Sequence, residues 1–187
     1  MDQVCLIALG SNQPSPAGDP AATLTSALAC LKATEGLHLR AVSRFFRTPA
    51  FPAGAGPDYI NAAAALVSPL PPEAVLTRLH TIEADHERRR EIRWGARSLD
   101  LDLLTCGPTI LPDPATWQHW CDISTTRQQT EAPSQLVLPH PRMHERAFVL
   151  VPLAEIAPDW CHPVLALSVS SMLARLPRAE VAAATPI

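Results

Sequence analysis

Residues 99–103 read Leu-Asp-Leu-Asp-Leu, and that alternation constrains the chain more than any other stretch. Side chains repeat every second residue along a β-strand and every 3.6 along a helix, so this period specifies a strand with one apolar and one acidic face. Leu99, Leu101 and Leu103 then point into a core, while Asp100 and Asp102 project from the other face, close enough to share a divalent cation. Like charges side by side on a half-buried sheet repel, and a hard cation that takes oxygen ligands removes that cost. Immediately upstream the chain gathers cations, with Arg88, Arg89, Arg90, Arg93 and Arg97 around Trp94-Gly95. Guanidinium forks beside a carboxylate pair suit a polyphosphate lying between them, a layout for phosphoryl transfer. Taken alone, the short acid pair suits a surface network with Arg93 or Arg97 better. The aromatic ring on a glycine-containing loop among cations favours the phosphate reading.

The rest of the chain narrows the alternatives. Its net charge of −3 and lack of a second basic cluster weigh against nucleic acid as a partner. With 187 residues, 47% of them apolar, it is expected to fold as one domain spanning 1–187. No apolar run approaches a membrane span, and the N-terminus lacks the pattern of a signal peptide, so a cytoplasmic location is expected. Cys5, Cys30, Cys106, Cys121 and Cys161 are scattered and odd in number, which reads as reduced thiols rather than a disulfide framework or zinc site. The other histidines (His38, His80, His86, His119, His144, His162) lack metal-ligand spacing.

Taken in order, Val4 to Leu9 is an apolar run closed by Gly10-Ser11-Asn12, a buried strand. Asp19-Pro20 caps and starts a helix with Leu24, Leu28 and Leu31 on one face, and Gly36 is a plausible stop. Leu37 to Phe46 alternates as a second strand. A proline- and glycine-rich loop follows, then Tyr59 to Val67, read as a strand by position despite its alanines. Pro71-Pro72 opens a helix from about Glu73 to Asp85. With the Asp100/Asp102 strand this gives β-α-β-β-α-β, the ferredoxin-like order, in an antiparallel α+β sheet extended by a C-terminal strand and helices. Residues 106–135 read as a surface excursion anchored by Trp117 and Trp120. Leu136 to Leu138 resumes a strand, Glu145 to Ile156 is partly helical around Pro152, and Ser168 caps a short helix. The tail at 178–187 is expected to fray.

Four segments now combine: ALGSN at 8–12, PDYINA at 57–62, RWGARSLDLDLL at 93–104 and LPHPRMHERAFVLVPLAEIAP at 138–158. Together they closely resemble the 6-hydroxymethyl-7,8-dihydropterin pyrophosphokinase family, from Val4 to about Leu176 apart from the excursion. The resemblance implies transfer of pyrophosphate from ATP to the pterin hydroxymethyl group, on a ferredoxin-like fold, in folate biosynthesis. It implies that Asp100 and Asp102 hold two Mg2+ ions, that Arg97 contacts the transferred phosphates, and that Arg88 and Arg90 lie on a mobile loop that closes over the nucleotide. Trp94 would help to seal the site, and Glu83, His140 and Arg146 match nucleotide-side positions. Tyr59 and Phe148 would sandwich the pterin ring, Asn61 would read its edge, and Thr48 and Phe51 would add contacts beside Gly10. Glu87, Ala96, His80, Gln135 and Val137 depart from residues common in the family. A monomer acting on small molecules, with no membrane or nucleic-acid partner, is expected.

Overall fold

The computed structural model describes residues 2–50, 56–86, 98–124, 127 and 130–187. Strand β1 (Gln3–Ser11) runs through the middle, flanked by β5 (Asp100–Cys106) on one side and β4 (Tyr59–Ser68) on the other, antiparallel to both. Beyond β4 lie β2 (His38–Val42) and β3 (Phe46–Thr48), which pair end to end along it, and β6 (Thr185–Pro186) adds to β3. Counting β2 and β3 as one interrupted strand gives the ferredoxin-like order.

The interruption has a local cause. Ser43 still pairs with β4 through its backbone N–H to the Ala63 carbonyl, at 2.9 Å. The next N–H, on Arg44, turns away to the Glu155 carboxylate at 2.8 Å, which also takes the Arg44 Nε–H at 2.7 Å. A side chain 111 residues distant therefore ends the ladder, and the continuous strand expected from Leu37 to Phe46 becomes two.

Helices α1 (Pro20–Ala33) and α2 (Pro72–Asp85) cover one face. Asp19 caps α1 by accepting from the Ala22 N–H at 2.9 Å, with Pro20 at the first helical position. The helix ends at a Thr34 cap rather than at Gly36, which instead takes φ +81° two residues later, a conformation open to glycine. Leu24 and Leu31 pack with Val75, Leu79 and Ile82 onto Cys5, Ile7 and Leu9 of β1 and Leu99, Leu101 and Leu103 at β5. Each such buried leucine contributes roughly 2 kcal/mol.

The second face is covered in part. Helices α4 (Ala147–Ile156) and α5 (Val169–Leu173) sit over Leu6, Ala63, Ala65 and Leu104, leaving the Gly10 end of the sheet to the site. The excursion contains α3 (Pro114–Asp122), whose Trp117 is fully buried, so this segment is docked rather than merely superficial.

Three expectations are corrected. The tail forms α6 (Arg178–Ala183) and then β6, and the Ile187 N–H donates to the Phe45 carbonyl at 3.0 Å, because the outer edge of β3 needs hydrogen-bond partners. Leu136 to Leu138 forms a single bridge, between Leu111 and Leu138, instead of a strand. Cys5 and Cys106, read as free thiols, are register partners on β1 and β5 and are joined as a disulfide. No helix among the described residues is long and apolar enough to cross a membrane.

Candidate active site

Strand register assembles the site. Phe46 pairs with Asn61, Asn61 with Gly10, and Gly10 with Asp100, so these four form one row across four strands. Two residues along each strand, a second row holds Ala63, Ala8 and Asp102. Side chains alternate along each strand, so Asp100, Asp102 and Asn61 share a face with Gly10. Two strand spacings separate β4 from β5, roughly 10 Å, the span of a small planar ligand with a phosphate beyond it.

Gly10 is the low point of that row. A Cβ there would lie 3.0 Å from Asn61 Oδ1 and 3.8 Å from Tyr59 Cδ1. Asn61 is buried, and its Nδ2 donates to Thr48 Oγ1 at 2.7 Å, which leaves Oδ1 as the acceptor over Gly10. Tyr59 stands opposite Thr48 at the start of β4 and is half-buried. Asn12 Nδ2 ties the Pro57 carbonyl to the end of β1 at 3.2 Å.

The acids lie at the other end of the row. Asp100 and Asp102 are half-buried and paired across from Gly10 and Ala8, residues too small to crowd them. Their donors are all carboxylate oxygens, which fits Mg2+ and not a soft metal. Among the described residues no group of three or more His, Cys, Asp or Glu could cage a metal ion. A two-carboxylate site matches a cation that keeps waters and phosphate oxygens for its remaining positions.

Beside the acids, a cleft of about 440 Å³ is lined by Asp102, His140, Arg142 and Arg146 together with apolar side chains. The His140 N–H donates to the Leu104 carbonyl at 2.7 Å, which fastens this turn to β5. His140 Nδ1 accepts from the Arg142 backbone N–H at 3.1 Å, so a neutral ring carries its proton on Nε2. Burial, and then the nearby Arg146 charge, hold the His140 pKa down to about 3. The imidazole is thus a neutral hydrogen-bond donor at any physiological pH. Arg146 occupies the N-cap position of α4 without a side-chain cap, and its guanidinium sits 5.6 Å from the centre of the Phe148 ring. It therefore touches both the cleft and the half-buried aromatic on the sheet side.

A sequence profile of the 7,8-dihydro-6-hydroxymethylpterin-pyrophosphokinase family matches residues 6–158. The chain belongs to this pyrophosphokinase family. The 2-amino-4-hydroxy-6-hydroxymethyldihydropteridine pyrophosphokinase of Methylorubrum extorquens is 39% identical over 153 residues, which are 82% of this chain and 82% of that protein. The protein of the same name in Haemophilus influenzae is 35% identical over 157 residues, 84% of this chain and 83% of its own length. Wild-type HPPK-DHPS of Plasmodium falciparum superposes on 94% of this chain with a TM-score of 0.65 and 12% identity, a likeness of fold. This chain spans 45% of that longer protein.

Of the residues that the pyrophosphokinase resemblance nominates, Gly10, Thr48, Tyr59, Asn61, Asp100 and Asp102 come together by register, and His140 and Arg146 by the cleft. Phe148 joins them under Arg146. Phe51, Arg88, Arg90, Trp94 and Arg97, with Glu87 and Ala96, lie outside the described residues. Glu83 lies against β5. It is buried on α2, and its Oε1 accepts the Leu101 backbone N–H at 2.8 Å, between the two acids. It positions β5. Sequence reasoning did not single out Trp120, Ile123, Glu131 and Arg142 as cleft lining. The usable signal for Trp120 was the helix start at Asp113-Pro114, which puts Trp117 and Trp120 three apart on neighbouring positions of α3.

Proposed function

We propose that this protein transfers pyrophosphate from ATP to the hydroxymethyl oxygen of 6-hydroxymethyl-7,8-dihydropterin, giving AMP and the pterin diphosphate, as a step in folate biosynthesis. The observation that carries this reading is the row Asn61–Gly10–Asp100, which puts a ring-edge acceptor and a carboxylate on one face. Family membership supplies the substrate class.

The pterin lies flat over Gly10, with its edge N–H groups meeting Asn61 Oδ1 and its faces against Tyr59 and Phe148. The triphosphate lies along the cleft, where His140 donates from Nε2 and Arg146 supplies charge at the junction with the pterin. Asp100 and Asp102 would hold Mg2+, which would neutralise the phosphate oxygens and the charge that develops on them. By the family resemblance, Arg88, Arg90 and Arg97 would add guanidinium contacts to the same phosphates, and Trp94 would exclude water beside them. The hydroxymethyl oxygen bonds to the β-phosphorus, the bond from that phosphorus to the bridging oxygen of AMP breaks, and the hydroxyl proton is released. Placement of the two substrates does most of the work, since phosphoryl transfer asks little covalent chemistry of the protein.

The test is to incubate the protein with ATP, Mg2+ and the dihydropterin and to separate the nucleotides by chromatography. AMP and pterin diphosphate are expected in equal amounts, and none without Mg2+. ADP in place of AMP, or ATP bound without turnover, overturns the reading. Asp102→Asn is expected to lower turnover by about 10³ or more with an unchanged circular dichroism spectrum, from the loss of metal charge stabilisation.

A further inference from the structure

The excursion at 106–135 lies outside the motifs that define the family resemblance, and it is built with care. Asp113 caps α3, accepting the Thr116 N–H at 2.9 Å and the Thr116 hydroxyl at 2.7 Å. Trp117 is buried, donates from Nε1 to the Pro139 carbonyl at 2.7 Å, and lies edge-on to His162 with centroids 5.1 Å apart. Leu111 and Leu138 exchange backbone hydrogen bonds at 2.9 and 3.1 Å. The excursion is therefore fastened to residues 138–140, the segment that delivers His140 to the cleft.

What it brings there is apolar and flat. Trp120 and Ile123 line the cleft with Leu76 of α2, Leu103 of β5 and Val137, while the charged lining comes from Asp102, Glu131, Arg142 and Arg146, beside the neutral His140. Trp120 stays half-buried, held at one side by His119, with ring centroids 5.5 Å apart. A purine needs broad apolar surfaces and a few polar atoms at its edge. Ser134 and Gln135 on the same lining offer a hydroxyl and an amide. The cleft thus divides by chemistry into a part suited to phosphates and a part suited to a base.

We propose that α3 adds a wall to the nucleobase side of this cleft and that Trp120 is a specificity-determining contact to the base. The inference rests on ATP being the nucleotide, and it concerns the base alone. It is tested by comparing MgATP with magnesium tripolyphosphate, which has the phosphates and no base. Trp120→Ala is expected to raise KM for ATP about tenfold, within the usual range for base–aromatic stacking, with kcat within about twofold. Inhibition by tripolyphosphate is expected to be unchanged, and Trp120→Phe retains most of the ATP affinity. An unchanged KM for ATP overturns the proposal, as does parallel weakening of ATP and tripolyphosphate, which marks a general distortion of the cleft. If the alanine variant does not fold, the phenylalanine variant decides by fluorescence. In a Trp94→Phe background, ATP but not tripolyphosphate should quench indole emission, and a response that persists when Trp120→Phe is added overturns the assignment. A protein that binds ATP with this signature yet releases no AMP with Trp94 in place supports the wall and removes the reaction proposed above.

Discussion

A methyl group at position 10 would meet Asn61 Oδ1 at 3.0 Å, closer than side chains ordinarily approach. Because Asn61 Nδ2 is already committed to Thr48 and the residue is buried, the carboxamide can yield only by breaking that hydrogen bond. Gly10→Ala is therefore expected to weaken dihydropterin binding about tenfold, the loss of one hydrogen bond of ordinary worth, while ATP binding stays unchanged. Titration calorimetry with each substrate separately checks this. At this scale the sequence was legible where chemistry and spacing coincide. The alternation at 99–103 alone was enough to put both aspartates on one face. It could not say what they face, because the Gly10–Asp100 pairing depends on a register set by about 90 intervening residues. The neutral state of His140 was likewise invisible, since it follows from burial and from Arg146.

Elements bring a different kind of information. Glu83, expected on the nucleotide side, also works between elements, its buried carboxylate holding the Leu101 N–H and so joining α2 to β5. Glu83→Ala leaves that N–H without its acceptor and is expected to cost about 2 kcal/mol, read as a lower urea midpoint with an unchanged denaturant slope. Turnover should fall as well, because the donor lies between Asp100 and Asp102. Helix starts were plain in the sequence, as Asp19-Pro20 and Asp113-Pro114 show, since capping is a local interaction. The break between β2 and β3 was hidden because a distant glutamate makes it. The terminal strand was hidden for the same reason. Nothing in residues 185–186 alone requires pairing; the open edge of β3 does.

For the whole molecule, acid is the informative perturbation. His162 is fully buried between Trp117 and Trp160, and its Nδ1 accepts the backbone N–H groups of Val164 and Leu165, both at 3.2 Å. Burial first, and then the neighbouring His144, push its pKa down to about 4 from an ordinary 6.5. The unfolded chain takes up a proton that the native one refuses between these values, so stability is full above about 6.5 and is lost as pH falls towards about 4. The loss amounts to at most about 3 kcal/mol. His162→Asn keeps an acceptor without the titrating ring, and its melting temperature should start lower at pH 7 yet change less down to pH 5. Equal slopes for variant and wild type in thermal denaturation would remove His162 as the cause.

The run Ala62 to Ala65 in β4 has one further consequence. Ala62 and Ala64 meet the layer of α1 and α2, and Ala63 and Ala65 meet the layer of α4 and α5. The partition between the two halves of the molecule is here one methyl thick on either side. Enlarging any of these side chains has no slack to absorb it in a close-packed interior, so both halves must shift together. Redesign of the substrate-bearing half is thereby mechanically tied to the packing behind it.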